Sequence, residues 1–195
     1  NDEKLIIFAT GPAGTGKTML AVQAAIKAFK EGAVDKIIIT RPAVGVDDEK
    51  HGFLPGTLNE KMEPWTKPIF DVFKEYYKPR DITAMLEDEV IEISPLAFLR
   101  GRTFKNAYII ADEMQNTSCN QMKMILTRIG ENSKMVLTGD LNQNDRKFAS
   151  ENGLRDFLSL LRQRYSSTIA SVDFGNEDIL RHEVVKEILS LYGEE

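Results

Sequence analysis

Short apolar runs alternate along this chain with longer stretches in which apolar residues recur every three or four positions. The runs Leu5–Ala9, Lys36–Thr40, Val90–Ile93, Ala107–Ala111, Met135–Thr138 and Thr168–Val172 have the length and β-branched character of buried strands. Helical periodicity fills Lys17–Lys30, Asn120–Ile129, Gly153–Arg164 and Asp178–Leu191. Apolar strands joined by crossover helices predict an α/β protein with a mainly parallel central sheet covered on both faces. Ligands of such folds sit beyond the C-terminal ends of the strands. The distinctive polar motifs of this chain each follow one of those strands directly.

The segment from Arg41 to about residue 80 breaks the pattern and reads as an insertion. Between Arg41 and Lys78 it holds four of the seven prolines (Pro42, Pro55, Pro64, Pro68) and the only tryptophan, Trp65. Its first part, to Leu58, predicts a long loop, and loops of that length usually carry function. Its second part, Glu60–Tyr77, predicts a broken helix or two. The aromatic set Phe53, Trp65, Phe70, Phe73, Tyr76 and Tyr77 has two readings, a stacking platform for nucleic acid or a packing face onto the sheet, and the second is preferred.

Chemistry enters with the octet Gly11-Pro12-Ala13-Gly14-Thr15-Gly16-Lys17-Thr18, set between the first strand and the first helix. A glycine-rich turn at that junction aims consecutive backbone N–H groups at one point, where phosphate oxygens bind. Lys17 supplies the mobile charge and the Thr18 hydroxyl a ligand for Mg²⁺. Asp112-Glu113 follows the strand Ala107–Ala111. There Asp112 can hold Mg²⁺ and Glu113 can polarise a water that attacks a γ-phosphate. The pair argues for hydrolysis over transfer to a small acceptor, because a kinase need not activate water. After the strand Met135–Thr138 comes Gly139-Asp140-Leu141-Asn142-Gln143. Gln143 is the candidate γ-phosphate sensor, with Asp140 in support.

Composition narrows the setting. With the 11–18 loop, the 195 residues, 42% hydrophobic and 28% charged, suit a single P-loop domain, too small for two nucleotide-binding folds. No apolar run approaches the ~20 residues that spanning a bilayer requires, so no membrane partner is expected. The lone Cys119 rules out an internal disulfide framework and fits a reducing cytoplasm. A net charge of −5 provides no global field for nucleic acid, so any such contact needs a local basic surface or one assembled between subunits. The chain opens on Asn1 rather than Met, which leads us to expect a segment upstream.

Together, several pieces resemble the PhoH family of phosphate-starvation-inducible P-loop proteins, related to superfamily-one helicase cores. They are the octet at 11–18, Thr40-Arg41-Pro42-Ala43-Val44, Gly52-Phe53-Leu54-Pro55-Gly56, the run Pro95–Thr103, Asp112-Glu113-Met114-Gln115-Asn116, Leu126–Gly130 and Gly139-Asp140 with Gln143. The resemblance implies a RecA-like three-layer fold, binding and hydrolysis of ATP with Mg²⁺, and coupling to RNA or single-stranded DNA. It places Arg41 in a motif tied to nucleotide or strand coupling. Arg100 and Arg102 read either as phosphate or nucleic-acid backbone contacts or as structural bridges to carboxylates in the insertion. Charge developing on the γ-phosphate usually calls for an arginine finger, and this chain has no room for a second nucleotide-binding domain to supply it. Ring-forming relatives imply a finger from a neighbouring subunit. The expectation is therefore a homo-oligomer, a hexameric ring, with Arg128 or Arg181 as the finger. Two alternatives stand beside this reading: a P-loop kinase or phosphotransferase, and a nucleotide-gated scaffold for a nuclease or ribosome-associated partner.

Overall fold

The computed structural model describes residues 4–42, 58–143, 152–179 and 183–191. Six strands form one sheet: β1 (Ile6–Thr10), β2 (Lys36–Thr40), β3 (Ile91–Ile93), β4 (Ala107–Ala111), β5 (Lys134–Gly139) and β6 (Ile169–Asp173). Their spatial order is β3-β2-β4-β5-β1-β6, and every pairing is parallel. All six therefore end at the same edge. The helices are α1 (Lys17–Lys30), α2 (Leu58–Tyr76), α3 (Pro79–Glu87), α4 (Cys119–Leu126), α5 (Gly153–Gln163) and α6 (Glu183–Leu191).

Side chains alternate across the pleat, and both faces of the sheet are buried. On β4, Ile109 and Ala111 enter one core with Phe8, Ile38, Met135 and Leu137, closed by Met122 and Ile125 of α4 and Leu154 and Leu158 of α5. Tyr108 and Ile110 enter the other with Ile37, Ile39 and Val136, closed by Val22 and Ile26 of α1, Ile69 and Phe73 of α2, and Ile82 of α3. This is the three-layer, RecA-like α/β P-loop fold that the sequence leads one to expect.

The insertion departs from expectation. Its second part is one helix, α2, with Pro64 and Pro68 inside it. Each proline removes one backbone hydrogen bond, but the burial of Ile69, Val72 and Phe73 against the α1 layer holds the helix together. Helix α3 was not expected, although Pro79 at its start and Asp81 in its first turn are ordinary helix-opening signals. Of the aromatic set, Phe70, Phe73 and Tyr77 belong to the packed face, while Trp65 and Tyr76 are exposed. Phe53 and the rest of 43–57 lie outside the described residues.

Candidate active site

Parallel pairing brings the ends of β1, β2, β4 and β5 side by side, with Thr10 opposite Gly139 and Thr40 opposite Ala111. The segments that follow these strands carry the motifs, so topology alone collects them. A cleft of about 280 Å³ opens there, bordered by Gly14, Lys17, Thr18, Glu113, Asp140 and Gln143. A larger hollow of about 640 Å³ lies at the opposite end of the sheet, near Lys27, Asn106 and Lys134, and no sequence motif reaches it.

The phosphate loop turns tightly out of β1. Gly11 has φ +147°, and a Cβ there would lie 2.4 Å from the Phe174 carbonyl oxygen, so only glycine fits. The Gly11 N–H donates to Gly139 O at 3.1 Å, tying the loop to the end of β5. Gly16, in the left-handed region, starts α1, whose first-turn N–H groups and dipole face the cleft. Lys17 Nζ donates to Pro12 O at 2.6 Å and to Thr15 Oγ1 at 3.3 Å. Burial holds its ammonium below the ordinary lysine range, against the pull of Asp140, Glu113 and Asp112. Three carboxylates and one half-buried ammonium thus frame the cleft.

Asp112 is the hub. Its Oδ1 accepts from Thr18 Oγ1 at 2.8 Å and from Thr138 Oγ1 at 2.5 Å, while Arg41 Nη1 stands 4.0 Å from Oδ2. Its backbone N–H donates to Thr40 O at 2.9 Å, fixing it at the end of β2. A hydroxyl and a carboxylate converging in this way are the protein oxygens that a hard divalent cation needs, with substrate phosphates and water completing its shell. The donor set at Thr18 and Asp112 fits Mg²⁺. Among the described residues no cluster of three His, Cys, Asp or Glu offers a self-sufficient metal cage instead.

A model of the PhoH-like protein family matches residues 1–193. The chain belongs to the PhoH family. It is 44% identical over 196 residues to a PhoH-like protein of Mycobacterium leprae, covering 99% of this chain and 54% of that one. To a PhoH-like protein of Bacillus subtilis it is 43% identical over 187 residues (96% and 58%), and to Protein PhoH of Escherichia coli 39% over 193 residues (98% and 54%). The chain thus spans about half the length of the curated relatives it matches. Among solved structures, a Sulfolobus solfataricus SWI2/SNF2 ATPase core in complex with dsDNA aligns over 86% of this chain and 40% of its own, at 17% identity and a TM-score of 0.44.

In this PhoH-family chain the remaining candidates separate. Gln143 borders the cleft and is exposed there, the last described residue before 152. Arg102 forms a bidentate pair with Glu92 of β3 and lies over the Phe104 ring at 4.7 Å. That is the structural-bridge alternative, although the carboxylate belongs to the sheet and not to the insertion. Arg100 is exposed. Arg128 donates from Nη1 to Arg102 O at 3.1 Å, and its own carbonyl accepts from Phe104 N. These partners precede β4, so Arg128 sits at the sheet end away from its own phosphate loop. Arg181 lies outside the described residues.

Two residues at the centre of the network escaped the sequence reading. Thr138 looked like the last residue of an apolar strand, yet its hydroxyl shares Asp112 with Thr18. Gln115, buried to 1% exposure, donates from Nε2 to Glu113 Oε2 at 2.5 Å and accepts at Oε1 from the Asp140 N–H at 3.1 Å. Only its place in Asp112–Asn116 hinted at a role.

Proposed function

We propose that this protein binds Mg-ATP on the 11–18 loop and hydrolyses it, with turnover coupled to RNA or single-stranded DNA. The observation that carries the reading is the convergence of Thr18 and Thr138 on Asp112, with Glu113 beside it on the same cleft as Lys17. Backbone N–H groups of Gly14, Thr15 and Gly16 cradle the β- and γ-phosphates. Lys17 gives up Pro12 O for a phosphate oxygen, a stronger charge-assisted partner. Thr18 and Asp112 would hold Mg²⁺, which would supply positive charge against the charge that develops on the phosphates. Glu113 accepts a hydrogen bond from the attacking water, aligns it with the γ-phosphorus and takes its proton as the bond to the leaving oxygen breaks. Gln143 senses the γ-phosphate from the opposite wall.

Nucleic acid binds through a local surface. Arg100 and Phe98, both exposed on the segment after β3, supply a cation and an aromatic face in a chain whose net charge is −5. The working form is a cytoplasmic homo-oligomer, a hexameric ring, in which Arg128 or Arg181 reaches the γ-phosphate of the next subunit. Phosphate release measured with and without single-stranded RNA tests the reading. Stimulation by RNA supports it, phosphate transfer to a small acceptor replaces it with a kinase, and nucleotide binding without release replaces it with a nucleotide-gated scaffold.

A further inference from the structure

Glu113 has an awkward backbone for a residue that must aim a carboxylate. Its φ of 56° and ψ of 40° lie in the left-handed region, which is strained for a residue with a Cβ. Such a conformation persists only where the surroundings over-determine it. The short 3-10 turn Met114–Asn116 that follows is fully buried and pinned from outside: Thr117 O accepts from the N–H of Gly153 at the start of α5, at 2.8 Å.

Within that turn, the amide of Gln115 has no freedom of assignment. The backbone N–H of Asp140 can only donate, so the atom it meets must be the carbonyl Oε1. The amide nitrogen is then the atom that faces Glu113 Oε2. Gly139 leaves room for this bridge, since a Cβ there would stand 3.0 Å from Gln115 Oε1, 3.3 Å from Gln115 N and 2.5 Å from Leu154 Cδ2. One side chain therefore spans from the carboxylate after β4 to the backbone after β5, where the Asp140–Gln143 turn begins.

We infer that Gln115 is a positioning residue: it holds the Glu113 carboxylate in its water-polarising orientation and couples that orientation to the Asp140–Gln143 turn. A shift of the turn in response to the γ-phosphate is passed through Oε1 and Nε2 to the base, so hydrolysis awaits a correctly bound triphosphate. The inference rests on the reading of Glu113 as that base.

Steady-state phosphate release and binding of a fluorescent ATP analogue, measured on wild type, Q115A, Q115E and G139A between about pH 6 and about pH 8, test it. Q115A should lose about 10²-fold in kcat, the scale of a misplaced catalytic group, with KM and analogue binding within about 3-fold of wild type. Q115E replaces the donor with a carboxylate facing Glu113. Its kcat relative to wild type should rise as pH falls, because the introduced carboxyl regains a proton to donate and its like-charged neighbour brings that protonation toward neutral pH. The relative kcat of Q115A should stay flat with pH. Should Q115A fail to fold, G139A, which leaves Gln115 in place but crowds its amide, should show the same loss in kcat with binding retained. A Q115A kcat within about 2-fold of wild type, or a flat pH ratio for Q115E, overturns the inference and leaves the proposed function standing. Absence of hydrolysis by wild type overturns both.

Discussion

Asp112 serves two hydroxyls and an arginine at once, and each contact limits what the carboxylate can do. Thr18 and Thr138 both donate to Oδ1, which keeps that oxygen oriented toward the phosphate loop. Arg41, 4.0 Å from Oδ2, balances part of the buried charge. In the proposed function the two neighbouring acids have separable tasks, Asp112 toward cation and hydroxyls, Glu113 toward water. Asp112→Asn should keep the hydroxyl contacts through its amide oxygen while losing the charge that attracts the cation. The Mg²⁺ concentration for half-maximal turnover should rise by about 10-fold or more, from the loss of ~1.4 kcal/mol or more of carboxylate–cation attraction. A magnesium titration of phosphate release checks this, and an unchanged midpoint would remove Asp112 from the metal site.

Elements put these residues in place, and two packing details should be measurable as stability. Gly11 meets the chain just after β6, so Gly11→Ala must displace backbone rather than a flexible side-chain tip. We expect a loss of at least about 2 kcal/mol in unfolding free energy, read from denaturant midpoints. The Arg102–Glu92 pair ties the segment before β4 to β3. Arg102→Ala should cost about 1 kcal/mol at neutral pH, since the pair is bidentate but partly exposed. The hydrogen bond from Arg102 holds the Glu92 carboxyl below the ordinary carboxylate range. A depressed folded value stabilises above the unfolded pKa, near 4.5, and is lost as pH falls through the folded one. The gap between Arg102→Ala and wild type should therefore close in acid, whereas a gap independent of pH would mean that the loss comes from packing on Phe104 alone.

The same elements show what a sequence can and cannot say. Runs such as Ile37-Ile38-Ile39 announce a strand buried on both faces, and Lys17–Lys30 carries its helical period from end to end, so the sheet and the loop before α1 were legible. Helix α2 was blurred by Pro64 and Pro68, whose local penalty is outweighed by packing of Ile69 and Phe73 that no local pattern reveals. At the C-terminal end, the single expected helix over 178–191 is a 3-10 turn at Asn176–Asp178 and then α6. Gln115 was illegible for a different reason. Its function depends on Asp140, 25 residues away, and on β4 and β5 being neighbours.

At the scale of the whole molecule, the described residues bring Arg41 beside Asp112 but neither candidate finger into the cleft. Arg128 is at the far end of the sheet and held by the Arg102 carbonyl. In the proposed ring, such an arginine would complete the site of the next subunit. Arg128→Ala alone and Lys17→Ala alone should both be inactive. Mixed together, they should regain part of the wild-type turnover, because some neighbouring pairs then combine an intact phosphate loop with an intact arginine. Mixing that restores nothing, with exchange of subunits confirmed by mass, would discard Arg128 as the finger.

If Glu113 is the base for Mg-ATP hydrolysis in this cleft, Glu113→Gln separates binding from chemistry. The substitution keeps the size of the side chain and the left-handed backbone, and removes the group that accepts the proton from water. Phosphate release and nucleotide binding should be measured on the same preparation. Mg-ATP binding should stay close to wild type while hydrolysis slows by about 10²-fold or more. Hydrolysis at the wild-type rate by Glu113→Gln would remove Glu113 as the base.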